Sequence, residues 1–211
     1  MPPLRRWLPL PLLLSILGTW LLPGMAQAIE QPAYEVARVV DGIEVRDVAP
    51  YIVAEVQVEG VSREAAGNQG FRILAGYIFG QNKGERRIAM TAPVVQAPAP
   101  ARIAMTAPVA QSAVEGGYRV QFMMPSAFTL DTLPEPLDPR VQLRAVPPTR
   151  LAVVRYAGLW SDRNYEDNLA RLRQAVADAG LRVLGEPVYA RYDPPWTPWF
   201  LRRNEIWLPV E

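Results

Sequence analysis

Cysteine and histidine are both missing from this 211-residue chain. Their absence excludes Ser-His-Asp and Cys-His nucleophiles, zinc sites of the usual kinds, disulfides, a lipoprotein anchor and a histidine-ligated haem iron. Charge of one sign is also lacking, since 22 Lys and Arg stand against 21 Asp and Glu for a net charge of +1. The basic residues are scattered among acids rather than gathered in a stripe, so nothing here grips a phosphate backbone and no nucleic-acid partner is expected. Long hydrophobic runs are scarce too. The clear one follows Met1-Pro2-Pro3-Leu4-Arg5-Arg6, extends from Trp7 to Leu22 and leads to Ala26-Gln27-Ala28, the basic, apolar and small-residue order of a secretory signal. Pro9, Pro11 and Gly18 break the run, which is short for a spanning helix. Residues 1–28 are therefore read as a signal peptide, with no stable membrane anchor after cleavage. Arg5-Arg6 lacks the rest of a twin-arginine signal, so general secretion to the periplasm is preferred. Cleavage removes two arginines and turns the formal charge of +1 into −1. Residues 29–33 then form a linker, and residues 34–211 are long enough for one domain with a real core, which makes the lack of disulfides tolerable.

What is present includes an exact repeat: Ile-Ala-Met-Thr-Ala-Pro-Val occupies residues 88–94 and again 103–109. Ile88, Met90, Ala92 and Val94 alternate with Ala89, Thr91 and Pro93 at the period of a strand. Ala97-Pro98-Ala99-Pro100 lies between the copies and can turn the chain. A hairpin is expected, with Ile88 facing Val109, Met90 facing Ala107, Ala92 facing Met105 and Val94 facing Ile103. Met90 and Met105 would then stand in an apolar strip that could wall a ligand site. Pro93 and Pro108 lack a donor and require an edge or a bulge.

Residues 34–59 carry β patterning in Val36, Val39, Ile43, Val45, Ile52, Val53, Val56 and Val58, with a turn at Asp41-Gly42. Two or three strands are expected there. Ser62 can cap a helix reaching about Phe79, with Ala66, Gly70, Phe71, Leu74 and Ile78 on one face. Gly67 and Gly70 weaken this helix and permit close packing. Strands are read at residues 118–124, 141–146 and 151–156. A second helix over 164–179 spaces Tyr165, Leu169, Leu172, Val176 and Ala179 on one face, with Ser161 or Asn164 as cap and Gly180 beyond its end. Strands near 187–192 and 205–208 follow. The pattern predicts an α+β fold of two pseudo-symmetric β-β-α-β-β halves, forming a curved or barrel-like sheet with two outer helices.

Several ordered motifs make the pattern specific. The heptapeptide at 88–94, then Phe122-Met123-Met124-Pro125, Thr132-Leu133-Pro134 with Pro136, Tyr192-Asp193-Pro194-Pro195-Trp196-Thr197-Pro198 and Phe200-Leu201-Arg202-Arg203-Asn204-Glu205-Ile206-Trp207 together resemble the SOUL haem-binding protein family across nearly the whole chain after the leader. The resemblance implies non-catalytic binding of haem or a related tetrapyrrole, on a fold similar to bacterial effector-binding domains. In some members a histidine is proposed as iron ligand, and this chain departs from them because it has none. By position, the resemblance puts Gly70, Phe71, Leu74 and Tyr77 of the first helix and Trp196, Trp199 and Phe200 of the loop before the last strand beside an apolar cleft. A porphyrin is a flat apolar plate with two carboxylates at one edge, so it needs aromatic or aliphatic walls and a cation at the rim. Arg72 and Arg202 or Arg203 could supply that cation. Basic residues on the helix of other members are not matched at Asn68 and Gly76. Two other readings stay open: an effector-binding module for another amphipathic small molecule, and a small-molecule hydrolase using a carboxylate such as Glu55 with a nearby Tyr as general base.

Overall fold

The computed structural model describes residues 30–84 and 100–211. Its strands are β1 (Tyr34–Val40), β2 (Ile43–Val48), β3 (Tyr51–Glu59), β4 (Val109–Val114), β5 (Gly117–Met123), β6 (Gln142–Val146), β7 (Thr149–Tyr156), β8 (Val188–Arg191) and β9 (Asn204–Pro209). Helix α1 (Arg63–Ile78) follows β3, and α2 (Asp162–Asp178) follows β7. Asp41 and Gly42 both have positive φ, as the two-residue turn that closes the β1–β2 hairpin requires. Ser62 and Ser161 accept hydrogen bonds from the amides of Ala65 and Asn164 at 3.3 Å, fixing both helix starts. Three strands precede α1, so β1 is an addition to the two expected halves.

All nine strands form one antiparallel sheet in the order β1-β2-β7-β9-β8-β4-β5-β3-β6. Exchanging β2 to β5 for β6 to β9, in chain order, reverses this list from β2 onward and leaves it otherwise unchanged. That is the signature of two pseudo-symmetric halves meeting between β8 and β4. The same order separates β2 from β3, which are joined by Ala49-Pro50, and β6 from β7, which are joined by Pro147-Pro148. Three Cα steps reach at most about 11 Å, so the two ends of the sheet must curl toward each other. The facing pairs show how. Glu44 faces Val153 and Val48 faces Thr149, then Tyr51 faces Val146 and Glu55 faces Gln142, every pair adding to 197. Two long strands thus cross as one ribbon, interrupted where three prolines remove ladder donors.

Both helices cover one face. Gly70, Leu74, Tyr77 and Ile78 of α1 bury against Val56, Val120 and Phe122, and Tyr165, Leu172 and Val176 of α2 against Ala152, Val154 and Ile206. The other face curls around Val48, Leu151, Val153, Ala190 and Trp207.

The expected hairpin of heptapeptides is not what forms. The first copy, with Met90, and most of the turn at 97–100 lie outside the described residues. In the second copy, residues 103–108 are irregular and only Val109 enters a strand. Its polar groups go to three separate elements: Ile103 N–H to the Ile78 carbonyl, the Thr106 hydroxyl to the Met123 carbonyl, and Ala107 N–H to the Glu30 carbonyl. Met105 is consequently 42% exposed rather than part of a buried strip.

A Cβ on Gly70 would lie 2.6 Å from Cβ of Val120, which explains glycine inside a helix that it weakens. Gly70→Ala is expected to destabilise the protein by about 1–3 kcal/mol, read as a lower urea midpoint with unchanged slope.

Candidate functional site

The helices meet at their N-terminal ends, where Arg63 donates to Asp162 at 2.9 Å. Between them the sheet surface is bare. One cross-strand row there runs from Phe122 through Val109 and Arg191 to Asn204, and its two middle members are half-buried. The next row carries Gln111 and Tyr189. Gln111 donates to the Arg63 carbonyl at 2.8 Å beneath Gly67, where a Cβ would come within 3.1 Å of its side-chain oxygen. At the α2 end of this groove is a cavity of about 90 Å³, lined among others by Arg63, Trp160, Tyr165, Tyr189 and Arg191.

Arg191 is the distinctive charge of this floor. Its guanidinium lies 4.8 Å from the ring centres of both Trp160 and Tyr189, and it has no carboxylate partner among the described residues. Aromatic faces hold a guanidinium while leaving its in-plane donors free for a planar anion. Trp160 is itself fixed by a 2.8 Å hydrogen bond from Nε1 to the Asn204 side chain and lies 4.5 Å from the Arg202 guanidinium. Below the groove, the buried Tyr156 and Tyr189 hydroxyls neighbour each other without a well-formed hydrogen bond. Burial first, and then Tyr189, push the Tyr156 phenol far above its ordinary value. Burial likewise raises Tyr165, against the lowering influence of Arg63.

The sequence-derived residues divide into three groups. Gly70, Leu74 and Tyr77 face the sheet within the core, and the Tyr77 hydroxyl donates to the Pro134 carbonyl at 2.8 Å. Their surfaces are already spent on packing, so none of the three offers a free wall to a cleft. Phe71 is 38% exposed and packs edge-on against Phe122 at 5.3 Å, so it does overhang the groove. Arg72 is exposed, and Met105 stands on the irregular segment. Trp196, Trp199 and Phe200 share one loop beside Trp160, tied in by the Gly158 amide to the Trp199 carbonyl. None of these three lines the cavity. Arg202 is occupied in bracing that loop, donating to the Thr197 and Pro195 carbonyls at 2.7 and 2.5 Å. Arg203 turns to the opposite face. Sequence reasoning missed Arg191, Trp160 and Tyr189, for which the available signal was an arginine two positions from a tyrosine on the helix-facing side of a strand.

The helix-free face carries a hollow of about 240 Å³ lined by Glu55, Gln57, Glu59, Arg119, Arg140 and Gln142, and little room around Glu205. Glu205 is fully buried there and accepts six hydrogen bonds, two each from Arg46 and Arg203 and one each from Tyr192 and Trp207. Its desolvation would raise the carboxyl, but Arg46 leads a set of donors that hold it below its ordinary value. Hollows beside Trp207 amount to about 10 Å³ each, and Pro32 from the N-terminal segment lines both. Arg144, the counterpart of Arg46 in the other half, grips Glu55 at 3.0 Å, and Gln121 donates to the same carboxylate at 2.7 Å. Glu55 is therefore held as an ion-pair partner, lowered by those donors against a desolvation that raises it.

Residues 29–209 match the SOUL heme-binding protein family, and the chain belongs to that family. It is 28% identical to heme-binding protein 2 of Homo sapiens over 189 residues, spanning 87% of each chain. Among solved structures it is similar to the EcmrR C-terminal domain, with a TM-score of 0.57 at 15% identity over 84% of this chain and 98% of that one. A structure described as a hydrolase from Listeria innocua gives a TM-score of 0.53 at 14% identity, over 83% and 94% of the two chains. These structural likenesses establish a common fold.

Glu205→Gln is expected to cost about 3–5 kcal/mol, because it leaves the buried Arg46 and the half-buried Arg203 against a neutral group. A carboxylate depressed on folding stabilises fully above its unfolded value, and that contribution is lost as pH falls through the lower folded one. The wild-type protein should therefore lose stability below about pH 4.5 more steeply than the variant, as read by thermal unfolding across pH.

Proposed function

We propose that this protein binds haem or a related tetrapyrrole without catalysing a reaction, in the groove between α1 and α2, and acts as an exported carrier or buffer in the periplasm. The observation that carries the site is Arg191, an arginine without an acid partner among the described residues, held between aromatic rings in a cavity whose lining also includes Arg63, Glu64 and Asp162. The cavity of about 90 Å³ suits the carboxylate-bearing edge of a tetrapyrrole rather than its whole ring. The ring would rest on the partly exposed apolar surface of Phe71, Val109 and Trp160, with Met105 flanking it. Leu74 and Tyr77 support that wall from behind. Export is supported by the order of basic, apolar and small residues in residues 1–28.

The donor set fits the porphyrin ring and its carboxylates better than the iron. With no His or Cys in the chain, axial ligation falls to Met or Tyr. Burial raises the phenols of Tyr156 and Tyr165, which disfavours the phenolate an iron would require. Bound haem would supply its own redox and ligand chemistry. This chain's part is to shield the ring, hold the carboxylates and keep the plate oriented.

Two titrations test the reading. Hemin should give a saturable Soret shift, and metal-free protoporphyrin IX should bind within a few-fold of hemin. No shift at micromolar protein would sink the proposal, while a large preference for hemin would place an iron ligand in the chain. Arg191→Gln is expected to weaken both ligands about tenfold or more, the scale of a charge-assisted hydrogen bond, and Phe71→Asp should weaken both further.

A further inference from the structure

The loop between β8 and β9 presents apolar surface that neither the groove nor the core uses. Trp196 is 81% exposed, Leu201 65%, Phe200 59%, Leu159 58% and Trp199 56%. They are neighbours: Gly158 N–H donates to the Trp199 carbonyl, which brings Leu159 alongside, and the Trp199 and Phe200 rings pack at 5.6 Å. The short 3-10 turn Trp199–Leu201 buries none of its residues. Nor is this a frayed segment. Thr197 N–H donates to the Pro194 carbonyl and Leu201 N–H to the Pro198 carbonyl, Arg202 braces two further carbonyls, and Arg203 N–H donates to Asp193. The fold thus spends backbone and side-chain hydrogen bonds on holding five large apolar side chains out in water, and a clustered exposure of this kind marks an interaction surface.

We propose that this loop seats the protein on the interfacial region of a lipid bilayer. A protein partner of ordinary affinity needs roughly 800 Å² on each side, whereas a bilayer needs only a projecting apolar tip. Two indoles on that tip match the headgroup level, where their apolar body and polar N–H are both accommodated. No helix among the described residues is long and apolar enough to cross a membrane, so contact is confined to the interface. Beside the tip Asp162 pairs with Arg63, and Arg163, 93% exposed, lies near Asp167, which leaves Arg202, its donors taken up by the Thr197 and Pro195 carbonyls, as the loop's one cation without an acid among the described residues. Apolar burial rather than attraction to anionic lipid therefore drives the contact, and it does not depend on the tetrapyrrole reading.

The test uses ligand-free protein lacking residues 1–28, since every described element lies within residues 30–211, with phosphatidylcholine vesicles and with vesicles that also contain phosphatidylglycerol. Co-sedimentation with both is expected, changing less than about twofold between low and high salt because the screened charges carry little of the binding, and lipids brominated near the headgroup should quench tryptophan emission. Trp196→Ser with Trp199→Ser should lower the partition coefficient by roughly a hundredfold, about tenfold for each side chain withdrawn, with thermal stability unchanged because neither ring is buried. Failure of the parent protein to sediment would overturn the proposal. So would equal binding by the double variant, binding abolished by salt, or a change of oligomeric state in place of lipid binding. Hemin titration of the same double variant separates the two readings: retained hemin binding with lost vesicle binding supports the lipid contact alone, and loss of both would return the loop to the tetrapyrrole site.

Discussion

A geometrical constraint governs this fold: strands two residues apart in the chain must stand at opposite ends of one sheet. β2 and β3 meet through Ala49-Pro50, and β6 and β7 through Pro147-Pro148, yet the sheet order puts the strands of each pair far apart. Only a curled sheet satisfies both facts. The unbroken register from Glu44 with Val153 to Glu55 with Gln142 shows the two strands crossing as a single ribbon, and the prolines sit where the ladder has to open. Once the sheet curls, its inner face is narrow and its outer face is left for the helices. Trp207, Pro32 and the ion cluster then fill the inside around β2 and β9, leaving hollows of about 10 Å³ there, while the hollow of about 240 Å³ beside β3 is lined by charged and amide side chains.

Charge satisfaction separates the two faces further. On the inner face Glu205 gathers six hydrogen bonds, and its pseudo-symmetric neighbourhood around Glu55 is also paired. A carboxylate so completely enclosed has nothing left to offer a ligand, and its worth lies in holding β2 against β9. On the outer face Arg191 rests on aromatic rings with its in-plane donors uncommitted. A charge that costs desolvation and meets no acid is the one expected to serve recognition.

The elements were legible in the sequence because their signals are local. Ser62 and Ser161 cap the helices, Gly180 follows the second, and alternation finds β2, β3 and β7. The duplication was legible as well: Arg46, Val48, Pro50, Ala54 and Val56 recur 98 positions later as Arg144, Val146, Pro148, Ala152 and Val154, a subtler repeat than the heptapeptide but the one that carries the architecture. The heptapeptide misled because a two-residue period describes side chains, whereas a strand depends on where backbone donors go, and Ile103 and Ala107 give theirs to α1 and the N-terminal segment. Leu74 and Tyr77 are ambiguous in sequence for a related reason. An apolar helix face looks the same whether a sheet or a ligand covers it, and here the sheet is close enough to require Gly70. Arg191 and Trp160 escaped notice because they lie 31 positions apart in sequence and meet only through the β8 register and the turn before α2.

The missing imidazole bears on what kind of binding this fold can support. Axial ligation adds a bond that must break before haem leaves, so the proposed site of rings and one guanidinium would hold its plate by contact area and charge, and release it more readily. Such a site distinguishes ligands by the outline and carboxylates of the ring rather than by its metal. The proposed bilayer contact is consistent with that economy, because tetrapyrroles partition into lipid and a weakly retained ligand is best exchanged where it dissolves. The Trp-rich loop is tied through Gly158 and Arg202 to Trp160, and Trp160 packs on the arginine of the groove. Surface and groove therefore share one rigid corner of the molecule, with no hinge needed between them.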